Sequence, residues 1–227
     1  MPNGSNRIEV YLEIGSKRTF AGALDWPGWC RSGRDEDSAL QALLEAGPRY
    51  GRVLSRSRLG FKAPRDASAF TVVERLKGSA TTDFGAPAMT PASDARPVTD
   101  SDLKRLQSIL GACWRALDAA VEKARGRSLR TGPRGGGRDL DKILDHVRGA
   151  ETGYLSSLGG KVTSSAKDPV STAEIRRAIL DTLAASAHGE IAEAGPRGGK
   201  RWLPHYFVRR EAWHVLDHVW EIEDRLE

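Results

Sequence analysis

The chain has 227 residues, 39% of them hydrophobic, with 35 basic and 30 acidic side chains for a formal net charge of +5. That length buries a core without staples, and Cys30 and Cys113 lie in segments of different character, which argues against a disulfide framework. No apolar run approaches the roughly 20 residues of a membrane helix, the start MPNGSNRIEVYLEIGSK has no signal-peptide core, and the charge is mixed rather than polycationic, so the expectation is a soluble, cytoplasmic protein with neither membrane nor nucleic acid as partner.

In chain order, RIEVYLEI alternates apolar and polar positions through Ile8, Val10, Leu12 and Ile14, and RTFAGAL is a second short apolar run. Gly15 and Ser16 between them predict a hairpin. After the DWPGW turn, DEDSALQALLEAGPRYGRVL places Ala39, Leu40, Leu43 and Leu44 behind acidic residues suited to a helix start, and Pro48 is expected to interrupt that helix. AFTVVERL reads as a further strand. Residues 77 to about 98 are rich in Pro, Ala, Ser and Thr without periodicity, which predicts a first domain of 1–80 and a linker over 81–98.

From Thr99 the period changes. Leu103, Leu106, Leu110, Cys113, Leu117 and Ala120 step by three and four on a helix ending near Gly126, and three more helical segments follow at 139–158, 171 to about 193, and 204–226. Gly and Pro clusters separate them. The fold class is therefore α+β: a small sheet-and-helix domain followed over 99–227 by an up-and-down four-helix bundle. Two of the separating loops are near copies 63 residues apart, GPRGGGR at 132–138 and GPRGGKR at 195–201. Backbone N–H groups at a helix start, with Arg134, Arg138, Arg197 and Arg201 beside them, suit a carboxylate or phosphate on a substrate; solvated turns are the other reading. The second copy departs from a phosphate-binding P-loop at Ala194 and Arg201.

The chemistry concentrates in AWHVLDHVWEIEDR. Residues four apart share one helix face, so His214 and His218 can aim their rings at one ion, and His146 in DLDKILDHVRGAE is the best third ligand. Three ring nitrogens from two helices would leave a coordination position for water or substrate, the arrangement of a catalytic metal rather than a structural one. Half-exposed histidines bordering an amphipathic seam are the plainer reading of the same spacing. Glu151 is the odd residue of its helix because it falls within the apolar stripe between Val147 and Leu155, where a carboxylate needs an arginine or a catalytic role beside the metal. Glu211 and Glu221 are further ligand candidates, with arginine pairing on a solvated face as the alternative. His188 is expected to face solvent and His205 to sit at a helix start without a special role; both cysteines read as inert.

These residues resemble a known family. The lone histidine in ILDHVRGAETGYL, followed by AWHVLDHVWEIEDR, is similar to the DinB-like (YfiT-like) superfamily of four-helix bundles over roughly 99–227. That resemblance implies His146, His214 and His218 as ligands of a divalent metal; imidazole donors suit zinc first, with nickel, iron or manganese as alternatives. It also implies thiol-dependent transfer or hydrolysis on a small-molecule substrate, with a low-molecular-weight thiol as co-substrate. YLEIGSKRTFAGALDWPGW followed by GRDEDSALQALLEAG, within 8–76, resembles HicB-like antitoxin domains, which implies a scaffold or a homodimerisation unit. The rival expectation is a non-catalytic binding module in which that first domain recognises a protein or nucleic acid.

Overall fold

A computed structural model describes residues 7–131, 137–163 and 170–227. The chain divides into two compact units, Met1–Ala95 and Arg96–Glu227. The first holds a four-stranded mixed sheet of β1 (Ile8–Ile14), β2 (Thr19–Ala23), β3 (Cys30–Gly33) and β4 (Phe70–Lys77), with α1 (Glu36–Leu54) and the short α2 (Ala80–Phe84). The sheet order is β3-β2-β1-β4; β1 and β2 are antiparallel, as are β2 and β3, while β4 runs parallel to β1. The expected hairpin closes where Gly15 N–H donates to the Arg18 carbonyl at 2.9 Å. β3 has no counterpart in the sequence reading. CRSG carries neither alternation nor β-branched residues, and pairing with β2 makes it a strand.

The helix α1 opens on Asp35, whose carboxylate accepts from Ser38 N–H in a capping box, with Glu36 and Asp37 in the first turn. Contrary to expectation it runs through Pro48 to Leu54. Packing outweighs the roughly 3 kcal/mol penalty of an interior proline: Tyr50 and Leu54 beyond it are buried, Tyr50 Oη donates to the Pro27 carbonyl at 2.8 Å, and Trp29 Nε1 donates to the Leu43 carbonyl at 2.8 Å just before it.

The supposed linker is tied to this first unit. Glu13 is fully buried on β1 and accepts from Thr82 Oγ1 at 2.5 Å and from the backbone N–H groups of Ala88 and Met89 at 3.0 Å. One carboxylate thus satisfies backbone donors some 75 residues away. A composition poor in periodicity is compatible with an ordered segment when a buried acceptor collects its N–H groups.

In the second unit four long helices carry the core: α3 (Asp100–Ala124), α4 (Leu140–Leu158), α5 (Thr172–Ala187) and α6 (Pro204–Arg225). Thr99 and Ser171 begin α3 and α5 with capping boxes, Asp139 caps α4, and Pro204 occupies the first turn of α6. α3 and α4 each pack against both α5 and α6. Their directions depart from strict alternation. α3 and α6 run parallel, since Arg96 meets His205 at one end and Arg130 N–H donates to the Arg225 carbonyl at the other. α4 is antiparallel to α6, with Arg225 on the Arg138 carbonyl and Trp202 N–H on the Ser157 carbonyl.

α5, however, runs the same way as α4. Arg176, early in α5, reaches Asp118 and Glu151, whereas Thr182 lies against Gly160 and His188 meets Asp100. The residues between Leu158 and Thr172 are numerous enough, at about 3.3 Å each, to return the chain to the other end, so helix order alone could not fix direction. α6 is the central helix: 15 of its 22 residues are buried, because neighbours cover it on more than one side. Among the described residues no helix is long and apolar enough to cross a membrane.

Candidate metal centre

α4 and α6 bring three imidazoles together. His146 lies two turns into α4, and His214 and His218 lie one turn apart on α6. The ring centroids are 5.0 Å apart for His146–His214 and for His146–His218, and 4.7 Å for His214–His218. One ligand atom from each ring falls within 4.8 Å of the other two, a spacing in which the three could hold a metal ion. His214 Nε2 and His146 Nε2 are 3.1 Å apart. Two nitrogens on one zinc at about 2.05 Å and a tetrahedral angle are separated by about 3.3 Å, so this pair already has ligand spacing.

The ring nitrogens are further sorted by their outer partners. His218 Nδ1 sits 2.8 Å from Glu221 Oε2, and Arg225 Nη1 is 2.6 Å from the other oxygen of the same carboxylate. The hydrogen bond from His218, with Arg225 in support, holds Glu221 below the usual carboxylate range. An ionised carboxylate only accepts, so Nδ1 is the donor to Glu221, which leaves Nε2 as the nitrogen available to the cluster. Glu221 thus stands outside the group of three and orients one of its rings.

Burial disfavours the charged form of His214 and His146. His214, 6% exposed, is pushed down to about 2 by burial first, then by His218, His146, Arg210 and Arg138. His146, the least buried of the three, is lowered by burial first, then by Arg138 and His218. Neutral rings are the form that ligates a metal. The donor set therefore fits a divalent ion: imidazole nitrogens only, a carboxylate outside them, and no carboxylate in the group.

Glu151 belongs elsewhere. It is fully buried on α4, with Arg176 Nε at 3.5 Å, and Glu211 of α6, also fully buried, is its neighbour. None of the four carboxyl oxygens makes a well-formed hydrogen bond. Arg176 lies over the Trp114 ring at 5.4 Å, so α3, α4, α5 and α6 each contribute one side chain to this cluster. Burial raises both carboxyls, and the charge of Glu151 raises Glu211 further against Trp114, Arg176 and Arg210. Two carboxyls with one adjacent guanidinium hold a proton rather than two charges. The solvated face expected for Glu211 is corrected by its full burial.

The remaining candidates scatter. Arg138 is exposed at the start of α4, near enough for its charge to act on His146 and His214. Arg197 is exposed on a small hairpin closed by Ala194 and Lys200. Arg201 lies against Gly159 at the end of α4, about 20 Å along that helix from His146 at 1.5 Å per residue. Neither joins the histidines, and Arg134 lies outside the described residues. His188 is exposed beside Asp100, whereas His205 is buried and within 3.2 Å of Arg96 Nε. Both thiols are buried, and burial pushes Cys113 up.

Trp202, Tyr154, Tyr206, Trp213 and Arg210 went unremarked as site residues. Tyr154 and Trp213 lie 5.7 and 6.2 Å from the His214 ring, and only the α4–α6 pairing, invisible in spacing along one helix, brings Tyr154 there. A cavity of about 710 Å³ opens on another side of α4, lined by Glu151, Arg176, Leu144 and Val121 among others. Neither a protein-family model, nor a curated protein, nor a solved structure matches this chain.

Proposed function

We propose that the second unit is a metal-dependent enzyme domain in which His146, His214 and His218 hold a divalent ion, zinc first among nickel, iron and manganese. It activates a thiol or a water for transfer to, or hydrolysis of, a small organic substrate. The observation that carries this reading is the convergence of three ring nitrogens from two helices within 4.8 Å, with Glu221 and Arg225 fixing the orientation of one ring. An ion held by three protein ligands keeps a position open, and its chemistry there is to bring the pKa of a bound water or thiol towards neutrality. The chain's own residues supply orientation. Glu221 fixes the His218 ring, and the buried wall of α6 keeps His214 unprotonated.

The resemblance to DinB-like bundles is part of this proposal, supported by the ring of packed helices α3, α6, α4, α5. Glu151 is assigned to the interior pair with Glu211 rather than to catalysis. The first unit is proposed as a HicB-like scaffold or dimerisation domain, and the protein as cytoplasmic.

Elemental analysis of the full chain, purified without added metal and then loaded with zinc, tests the reading. About one equivalent per chain is expected, retained through gel filtration by the wild type and lost in His214→Ala and His218→Ala. Full retention by both variants, or no retained ion in the wild type, eliminates it.

A further inference from the structure

Residues 46–65, AGPRYGRVLSRSRLGFKAPR, hold six of the chain's 35 basic side chains and none of its 30 acidic ones, so the net charge of +5 resides here. The chain-wide balance speaks against a polyanionic partner; the local one does not. Arg52, Arg56, Arg58, Lys62 and Arg65 are all exposed, and among the described residues none of the five enters an ion pair or a side-chain hydrogen bond.

The fold of the first unit holds them together. Arg52 stands in the last turn of α1, and the turns beyond it are closed by Ser55 N–H on the Arg52 carbonyl at 3.3 Å and Ser57 N–H on the Leu54 carbonyl at 2.9 Å. Arg58 takes a left-handed backbone, φ 58°, which glycine or asparagine adopts at less cost. The chain then returns along the helix. A Cβ added at Gly47 would stand 3.3 Å from Ala63, and one at Gly51 3.4 Å from Phe61, so bare backbone admits residues 61–64 against α1. Phe61 anchors the return, its ring edge-on to Trp26, Trp29 and Tyr50 at 4.9, 5.1 and 4.9 Å. Lys62 and Arg65 thereby lie beside the helix whose end carries Arg52 and Arg56. The negative end of the helix dipole accounts for Arg52, but not for Lys62 or Arg65, which follow the return.

Charge alone marks this surface. The large exposed apolar side chains among the described residues are Val73, Phe84 and Leu203, all outside the segment. It therefore lacks the wedge that a membrane face uses and the apolar centre of a protein interface. The ring of Phe61 is taken up by its aromatic neighbours, which leaves no platform for stacking unpaired bases. Four of the five cations are arginines, whose planar donors match phosphate.

We propose that this face docks the phosphate backbone of a nucleic-acid duplex, without regard to base sequence. A duplex carries one charge per about 1.7 Å of axis, and α1 rises about 11 Å from Gly47 to Leu54, so several phosphates face the patch at once. The interaction belongs to the first unit and is independent of the metal centre.

Fluorescence anisotropy of the full chain with labelled DNA and RNA duplexes of about 20 base pairs tests it and separates the two sources of phosphate. At least one duplex is expected to bind with a Kd on the order of 10 μM in about 100 mM KCl, and log affinity to fall against log salt with a slope of about −4.5, roughly −0.9 for each of five contacts. The double variant Arg56→Gln, Lys62→Gln is expected to flatten that slope by about 1.8 and to weaken binding about tenfold. Lys104→Gln with Lys123→Gln removes the same charge from exposed positions on α3 and is expected to change affinity less than about twofold.

Failure of both duplexes to bind at about 50 mM KCl overturns the proposal. So does an equal loss in the two double variants, which would trace binding to net charge and not to this face. Tighter binding to phosphatidylserine-containing vesicles or to poly-glutamate than to either duplex also overturns it, in favour of a membrane or an acidic protein.

Discussion

α4 and α6 carry two polar clusters a short distance apart along the same helices, and the two are built on opposite terms. In one, His146, His214 and His218 gather ring nitrogens with a carboxylate outside them, and His146 remains open to solvent. In the other, Glu151 and Glu211 are sealed from water with Arg176 as their nearest cation. The imidazoles lose little by being neutral in a dry site and gain from a cation placed among them. The carboxyls are costly there as charges, so they keep a proton and lean on one guanidinium. Neighbouring positions on one helix pair thus serve two purposes: on the proposed reading one cluster is completed by an ion, while the other is closed within the fold.

The sharpest way to break that contrast is to remove the guanidinium. Arg176→Ala is expected to destabilise the protein by about 3 kcal/mol, the low end for losing one partner of a buried pair, since the second carboxyl can absorb part of the loss by holding a proton. Urea denaturation measures it. Glu151→Gln keeps shape and neutrality and is expected to cost less than about 1 kcal/mol. As a reference, Arg148→Ala removes an exposed pair with Asp145 and should fall within about 0.5 kcal/mol of wild type. Arg176→Ala behaving like Arg148→Ala would mean that the interior carboxyls do not depend on the guanidinium.

The imidazole cluster should respond to its ligand instead. With free zinc at about one hundred times its dissociation constant, the metal stabilises the wild type by about 2.7 kcal/mol, and a chelator removes that gain. His214→Ala is expected to show no zinc-dependent shift in unfolding. Arg176→Ala, although less stable, is expected to keep its shift. A zinc-dependent gain that survives in His214→Ala would place the ion elsewhere.

The sequence exposed one cluster better than the other for a physical reason. His214 and His218 advertise themselves through a spacing of four that one helix fixes by its own geometry, and His146 is the lone histidine of its segment. Glu151 stood out because it interrupts an apolar stripe, and its arginine partner was one of two expectations. Glu211 reads from the sequence as a further ligand or as half of a solvated arginine pair, and its full burial is not visible there. A wheel drawn for α6 assumes one buried face, whereas neighbours surround this helix, so its polar positions are buried too. The same limit hid the parallel run of α4 and α5, the strand β3 and the ordered course of residues 81–95. Each depends on partners distant in sequence: β2 for the strand, Glu13 for the supposed linker, Arg176 and Thr182 for helix direction.

A finer division falls between carboxylates that orient and carboxyls that only fill. Glu221→Gln removes the charge that fixes His218 and is expected to weaken zinc affinity about 10- to 100-fold, the usual scale for a ligand's outer partner. Glu151→Gln, outside the ligand set, is expected to change it less than about threefold. Competition with a zinc indicator measures both. Equal losses in the two variants would join the clusters into one functional unit.

The smallest effect concerns pH in the metal-free protein, where the clusters have opposite signs. His146 and His214 are lowered in the fold, by burial first, from a starting value of 6.5. The unfolded chain therefore takes up protons that the fold refuses, and their contribution is whole above about pH 6.5 and lost as pH falls below it. Glu151 and Glu211 are raised from 4.5, again by burial first. Here the fold keeps protons that the unfolded chain releases, so their contribution is whole below about pH 4.5 and declines as pH rises. Between pH 5 and 7 the two slopes oppose each other, and wild-type stability should vary little. Glu211→Gln deletes one of them without creating a charge, so its urea midpoint should climb more steeply over that interval than the wild type's. A parallel pair of profiles would mean that Glu211 exchanges no proton on unfolding, and the contrast between a neutral imidazole group and a protonated carboxyl pair would then fail on its second half.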